Sequence, residues 1–109
     1  MTVRQLSESL ALEVLSLPEP EREVCGAYVG DLLSWVMGRA NADNVWVTVM
    51  TNANTVAVAT LTDVSMVIVT DGSEMPPETL ALAKEKGVNL ARTKASSYEI
   101  CVRLGGLLS

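Results

Sequence analysis

The sequence predicts an α/β fold: a single compact domain spanning residues 1–109, built on a central, mostly parallel sheet with helices on both faces. Three observations predict it. The chain is 49% apolar and 19% charged, enough to bury a core, and 109 residues is the length of one domain. Two strand-like runs, VWVTVM at 45–50 and MVIVT at 66–70, are apolar on both faces apart from their threonines, as strands inside a doubly covered sheet are. Residues 45–106 then read as three successive strand–turn–helix units, which right-handed crossovers lay out as parallel neighbours.

The elements follow in order. Residues 2–5 (TVRQ) read as a short strand and Leu6–Leu10 as a brief helix with Ser7 as its N-cap. Leu12, Val14 and Leu15 suggest a second strand. LPEPERE at 17–23 is a surface loop, because its prolines lack backbone donors and its glutamates stay wet. Val24–Val29 reads as a strand and Gly30–Asp31 as a turn, with Asp31 capping a helix over LLSWVMGRA. After the strand at 45–50 come the turn Thr51–Asn54 and a helix at 55–63. After the strand at 66–70 come the turn Asp71–Glu74 and a helix that Pro76 and Pro77 open and Gly87 ends. Val88–Arg92 is the last strand. Ser96–Glu99 has the spacing of a capping box for a helix that runs to Gly105–Gly106. The first 40 residues add one or two strands and a helix, which makes a mixed sheet an option.

Composition excludes several functions. Eight basic residues against thirteen acidic give a net charge of −5, which disfavours nucleic acid or an anionic membrane as a partner. There is no histidine, so imidazole serves neither as base nor as metal ligand. Cys25 and Cys101 form no CxxC pair, and without histidine they do not complete a zinc site. Their plainest reading is as two small buried apolar residues; a redox-responsive pair is the alternative. The N-terminus lacks the pattern of a signal peptide and no run is long enough to span a bilayer, so the expected location is cytoplasmic. No metal and no cofactor are expected.

Ligands of open parallel sheets sit outside the carboxyl ends of the strands. Three polar turns should gather there, each leading into a helix N-terminus that favours an anion. Asn52, Asn54, Thr93, Lys94, Ser96 and Ser97 are therefore the candidate ligand-binding residues. The same side chains also suit plain helix capping, and no turn carries a phosphate-binding glycine fingerprint. Asp31, Asp71 and Glu74 share that edge, but no nucleophile has a matched base. The chain is accordingly read as no enzyme. Tyr28, Leu32, Trp35, Val36 and Met37 gather around one helix and cannot all enter a small core; an exposed Trp beside Met is a common interface anchor. These five are the candidate interface residues, while Trp46 belongs to the core.

Two runs, Gly26–Arg39 (GAYVGDLLSWVMGR) and Asn44–Ala59 (NVWVTVMTNANTVAVA), resemble stand-alone DRTGG-domain proteins. The likeness continues through the Pro77–Gly87 helix and Thr93–Glu99. Related domains form the middle module of phosphotransacetylases, stand beside CBS-domain pairs, and resemble the N-terminal domain of HPr kinase/phosphatase. The resemblance implies a compact α/β domain that pairs with itself and regulates or senses a ligand instead of catalysing. It also implies a link to hydrogenase or redox metabolism, since stand-alone members are often encoded near such proteins. The Asp-Arg-Thr-Gly-Gly signature itself is absent: Thr51–Asn54 stands in its region without Arg or Gly. An anion-binding role for that arginine does not carry over. The expected function is a homodimeric, non-enzymatic regulatory or accessory module working through protein contacts, with Trp35 and its helix as the expected interface and a partner protein in a redox or signalling system. The alternative is a sensor of a nucleotide or other small anion at the strand ends.

Overall fold

Side chains alternate along the central strands and feed two separate cores. A computed structural model describes residues 1–108. Its strands are β1 (Glu13–Ser16), β2 (Ala27–Val29), β3 (Val45–Thr48), β4 (Met66–Val69) and β5 (Leu90–Arg92). Its helices are α1 (Val3–Ser9), α2 (Leu33–Arg39), α3 (Ala53–Thr62), α4 (Pro77–Lys86) and α5 (Ser97–Leu108). Every residue of β3 and β4 is buried. Val45, Val47, Met66, Ile68 and Ala91 meet α1 and α5 on one face. Trp46, Val67, Val69 and Leu90 meet α2, α3 and α4 on the other. Period-two alternation places these sets on opposite sides.

The strand order is β1-β5-β4-β3-β2. Strands β2 to β5 are parallel neighbours in sequence order, joined by α2, α3 and α4. The sheet is mixed because β1 pairs antiparallel with β5. The predicted architecture stands: the first 40 residues add two strands, antiparallel β1 and parallel β2, to the three from residues 45–106.

The departures lie in the first 31 residues. Residues 2–5 are no strand. Thr2 is the N-cap of α1, and with Gln5 it forms a capping box that satisfies two exposed N–H groups locally. Ser7 is thus inside the helix and caps nothing; it is buried with its hydroxyl unpartnered. The strand expected at 24–29 is confined to Ala27–Val29, because Cys25 N–H turns to the Asp43 carbonyl at 2.9 Å and Gly26 takes a positive φ of 75°. Asp31 does not cap α2, whose N-cap is Leu32 with no side-chain bond. Its Oδ1 instead accepts from Thr48 Oγ1 (2.7 Å) and Val49 N (2.9 Å), pinning the β2–α2 turn to the end of β3.

The loop at 17–23 is anchored at the opposite, amino end of the strands by Asn89, which is buried, and Arg22, which is partly buried. Asn89 Oδ1 accepts from Glu19 N at 3.0 Å, and Asn89 Nδ2 donates to the carbonyls of Glu19 and Ser65 at 2.8 and 2.9 Å. Arg22 donates to Asp43, Asp63 and Glu19. Burial pushes the Arg22 guanidinium down, but its hydrogen bonds to Asp63 and Asp43 outweigh that and raise it above the usual arginine range. Because its folded pKa is raised, its contribution to stability is complete at neutral pH and fades only in strong alkali.

Asn89 is almost fully buried, so truncating it removes three hydrogen bonds and leaves the buried Ser65 carbonyl without this donor. Asn89→Ala is expected to destabilise the fold by about 2–3 kcal/mol, read as a lower urea midpoint with an unchanged slope.

Candidate functional site

The six residues expected to hold an anion sit in two connections at the carboxyl ends of the strands. Asn52 and Asn54 belong to the β3–α3 connection; Thr93, Lys94, Ser96 and Ser97 belong to the β5–α5 connection. Strand β4 lies between their parent strands. Asn52 Oδ1 accepts from Asn54 N and Thr55 N at 2.9 and 3.3 Å, so it caps α3. Thr93 Oγ1 accepts from Ala95 N at 3.1 Å. Ser96 Oγ accepts from Glu99 N at 3.1 Å, which caps α5 as its spacing suggests. Ser97 Oγ lies 2.7 Å from Thr70 Oγ1, which is itself 3.0 Å from Asp71 Oδ2. Four of the six thus have internal partners, while Asn54 and Lys94 face solvent.

The turn between β4 and α4 is fastened to the same edge. Asp71 and Gly72 both have positive φ, and their N–H groups donate to the carbonyls of Ala95 and Thr93 at 2.9 Å each. The carboxylates of that edge are separated in role: Asp31 holds β3, Asp71 accepts from Thr70, and Glu74 is exposed. Among the described residues, no group of His, Cys, Asp and Glu is arranged to hold a metal ion.

The candidate interface residues divide. Val36 is fully buried and packs with Trp46 and Val56 in the second core, so it is a core residue and not an interface residue. It shares the inward face of α2 with Leu33, one turn earlier. Tyr28 is half-buried against the same core. Leu32, Trp35 and Met37 remain more than half exposed. The Arg39 guanidinium lies 3.8 Å from the Trp35 ring centroid, a cation–π contact that covers one ring face.

A second apolar feature went unread in the sequence. A groove of about 380 Å³ runs between β2 and α5, lined by Ala27, Val29, Cys101, Leu104, Gly105 and Leu108, among others. Two signals for it were present: Val24–Gly30 carries no charge, and Tyr98, Val102 and Gly105 recur at helical spacing. The cysteines also depart from expectation. Neither is buried: Cys25 is exposed and Cys101 half-exposed, and both are free. Partial burial pushes the Cys101 thiol above its ordinary pKa.

No family model matches the chain, and no curated protein matches it. Among solved structures it is similar to the CBS and DRTGG domains of the regulatory region of Clostridium perfringens pyrophosphatase, in a complex with the activator diadenosine tetraphosphate. The TM-score is 0.72 at 18% identity, over 93% of this chain and 44% of that one. This chain has the fold of a DRTGG-like domain. It spans less than half the length of that regulatory region. Among the described residues, no helix of this DRTGG-like domain is long and apolar enough to cross a membrane.

The exposure of Cys25 and the raised pKa of Cys101 set an order of reactivity. Iodoacetamide at neutral pH is expected to alkylate Cys25 first and Cys101 severalfold more slowly, with mass spectrometry of digested samples reading the two sites. Equal rates would contradict the partial burial of Cys101.

Proposed function

We propose that this DRTGG-like domain is a non-enzymatic regulatory module that pairs with itself and passes its state on through protein contacts. The observation that carries the reading is where apolar surface stays open. Leu32, Trp35 and Met37 stand out from α2, and the groove beside β2 is apolar. The polar side chains at the strand ends, by contrast, mostly hold turns and helix caps. Trp and Met on an exposed helix supply large contact area at an interface core, so the α2 surface is the docking face for a partner protein, of the redox or signalling kind that the family resemblance implies. A module that works by contact needs no nucleophile and no base, in keeping with carboxylates that have structural partners.

Light scattering at micromolar concentration is expected to give twice the chain mass. A monomer at every concentration would refute the pairing.

A second reading has its own support, because the pyrophosphatase regulatory region was solved with a dinucleotide bound. In that reading a nucleotide or other small anion sits at the carboxyl ends of the strands, beside Lys94 and Asn54, the two exposed candidates whose side chains make no internal hydrogen bond among the described residues. Calorimetric titration with diadenosine tetraphosphate tests it. Binding that Lys94→Ala with Asn54→Ala weakens by about tenfold or more supports the placement; equal binding by the double variant refutes it.

A further inference from the structure

The open edge of β2 is built to pair with another strand. Gly26 O accepts from Val45 N at 3.0 Å, and Gly30 N donates to Val47 O at 3.1 Å, so these two residues turn their backbone groups toward β3. Alternation along a strand then turns the N–H and C=O of Ala27 and Val29 outward, on the side of the sheet where no strand follows. Natural edges are commonly protected by charge, proline or a bulge. Neither charge, proline nor bulge occurs from Val24 to Gly30, and the brevity of a three-residue strand is the protection β2 does have. The flanking carboxylates are turned away: Glu23 pairs with the N-terminal ammonium, and Asp31 is held by Thr48 and Val49.

The helix above the edge is equally free of charge on the side facing it. Cys101, Gly105 and Leu108 line the groove against β2. Helical spacing sets Tyr98 and Val102 next to that row, further from the core, and both are exposed, Val102 by 57%. The two charges of α5 lie on the other flank, where Arg103 donates to the Ser9 carbonyl of the α1 end at 2.7 Å and Glu99 accepts from Ser96.

We propose that two copies of this chain join edge to edge, β2 against β2 in antiparallel register about a two-fold axis at Tyr28, with the two α5 helices packing beside the axis. The proposal rests on the self-pairing reading and specifies its contact. Ala27 of each copy exchanges both backbone bonds with Val29 of the other, which satisfies all the outward groups reciprocally, as an isologous contact requires. Charge selects a second copy as the occupant. A chain of net charge −5 repels itself, so two copies approach at a surface without charge, whereas a foreign partner of an acidic protein is steered to the acidic surface by opposite charge. Three strand residues fall short of the roughly 800 Å² per partner of a stable interface; the apolar flank of α5 supplies the remainder.

Val29→Pro removes an outward N–H and leaves the bonds to β3 intact, a position where an edge strand tolerates proline. Val102→Lys places charge on the exposed flank of α5 without touching either core. Each is expected to weaken the dimer, followed by sedimentation equilibrium, by about tenfold or more, with native circular dichroism, while Trp35→Ala leaves it unchanged. Tyr28→Cys, in a chain carrying Cys25→Ser and Cys101→Ser, is expected to oxidise to a covalent dimer, because facing residues of such a non-hydrogen-bonded pair lie about 4.5 Å apart between Cα atoms. A wild-type chain that is only monomeric overturns the self-pairing reading itself. A wild-type dimer whose strength Val102→Lys leaves intact, or which Trp35→Ala breaks instead, overturns this contact alone. A dimer without the Tyr28→Cys cross-link overturns the register.

Discussion

Strands β3 and β4 are apolar on both faces and buried along their whole length, and the remaining architecture answers that constraint. A sheet with two oily faces is stable in water only when both are covered. The crossover helices α2, α3 and α4 cover one face; α1 and α5 cover the other. Trp46 illustrates the demand. Its ring is fully buried in the second core, and its Nε1–H reaches the Gly30 carbonyl at 2.9 Å, so its polar atom is satisfied without opening the core to water. The same bond ties the end of β2 to β3.

Both ends of these strands need polar closure. At the carboxyl end, Thr48 and Thr70 are buried hydroxyls that meet Asp31, Asp71 and Ser97. At the amino end, Asn89 and Arg22 fasten the loop at 17–23. A buried polar group costs stability unless it is paired, and these pairings involve many of the side chains that sequence reasoning would assign to chemistry. What the fold leaves open is apolar surface, on α2 and between β2 and α5. The fold that carries this distribution is the one it shares with the CBS and DRTGG domain structure.

The sheet core, the crossover pattern and the helix ends that depend on local chemistry are legible in the order of residues alone. VWVTVM and MVIVT carry their two-faced burial in composition alone. Gly87 ends α4 at a φ of 71°, where a residue without Cβ meets no steric cost, and Ser96 caps α5 from within its own turn. Tertiary structure decided what depends on partners distant in the chain. Asp31 looked like a helix cap because caps are local, but Thr48 and Val49 bind it from another strand. The strand expected at 24–29 shortened because the Asp43 carbonyl takes Cys25, and Val36 left the surface because α2 turns that face toward Trp46. The groove beside β2 forms only when α5, nearly seventy residues later in the chain, returns over the sheet. Local spacing encodes helices, caps and alternation, whereas a shared surface between distant segments exists only once packing brings them together.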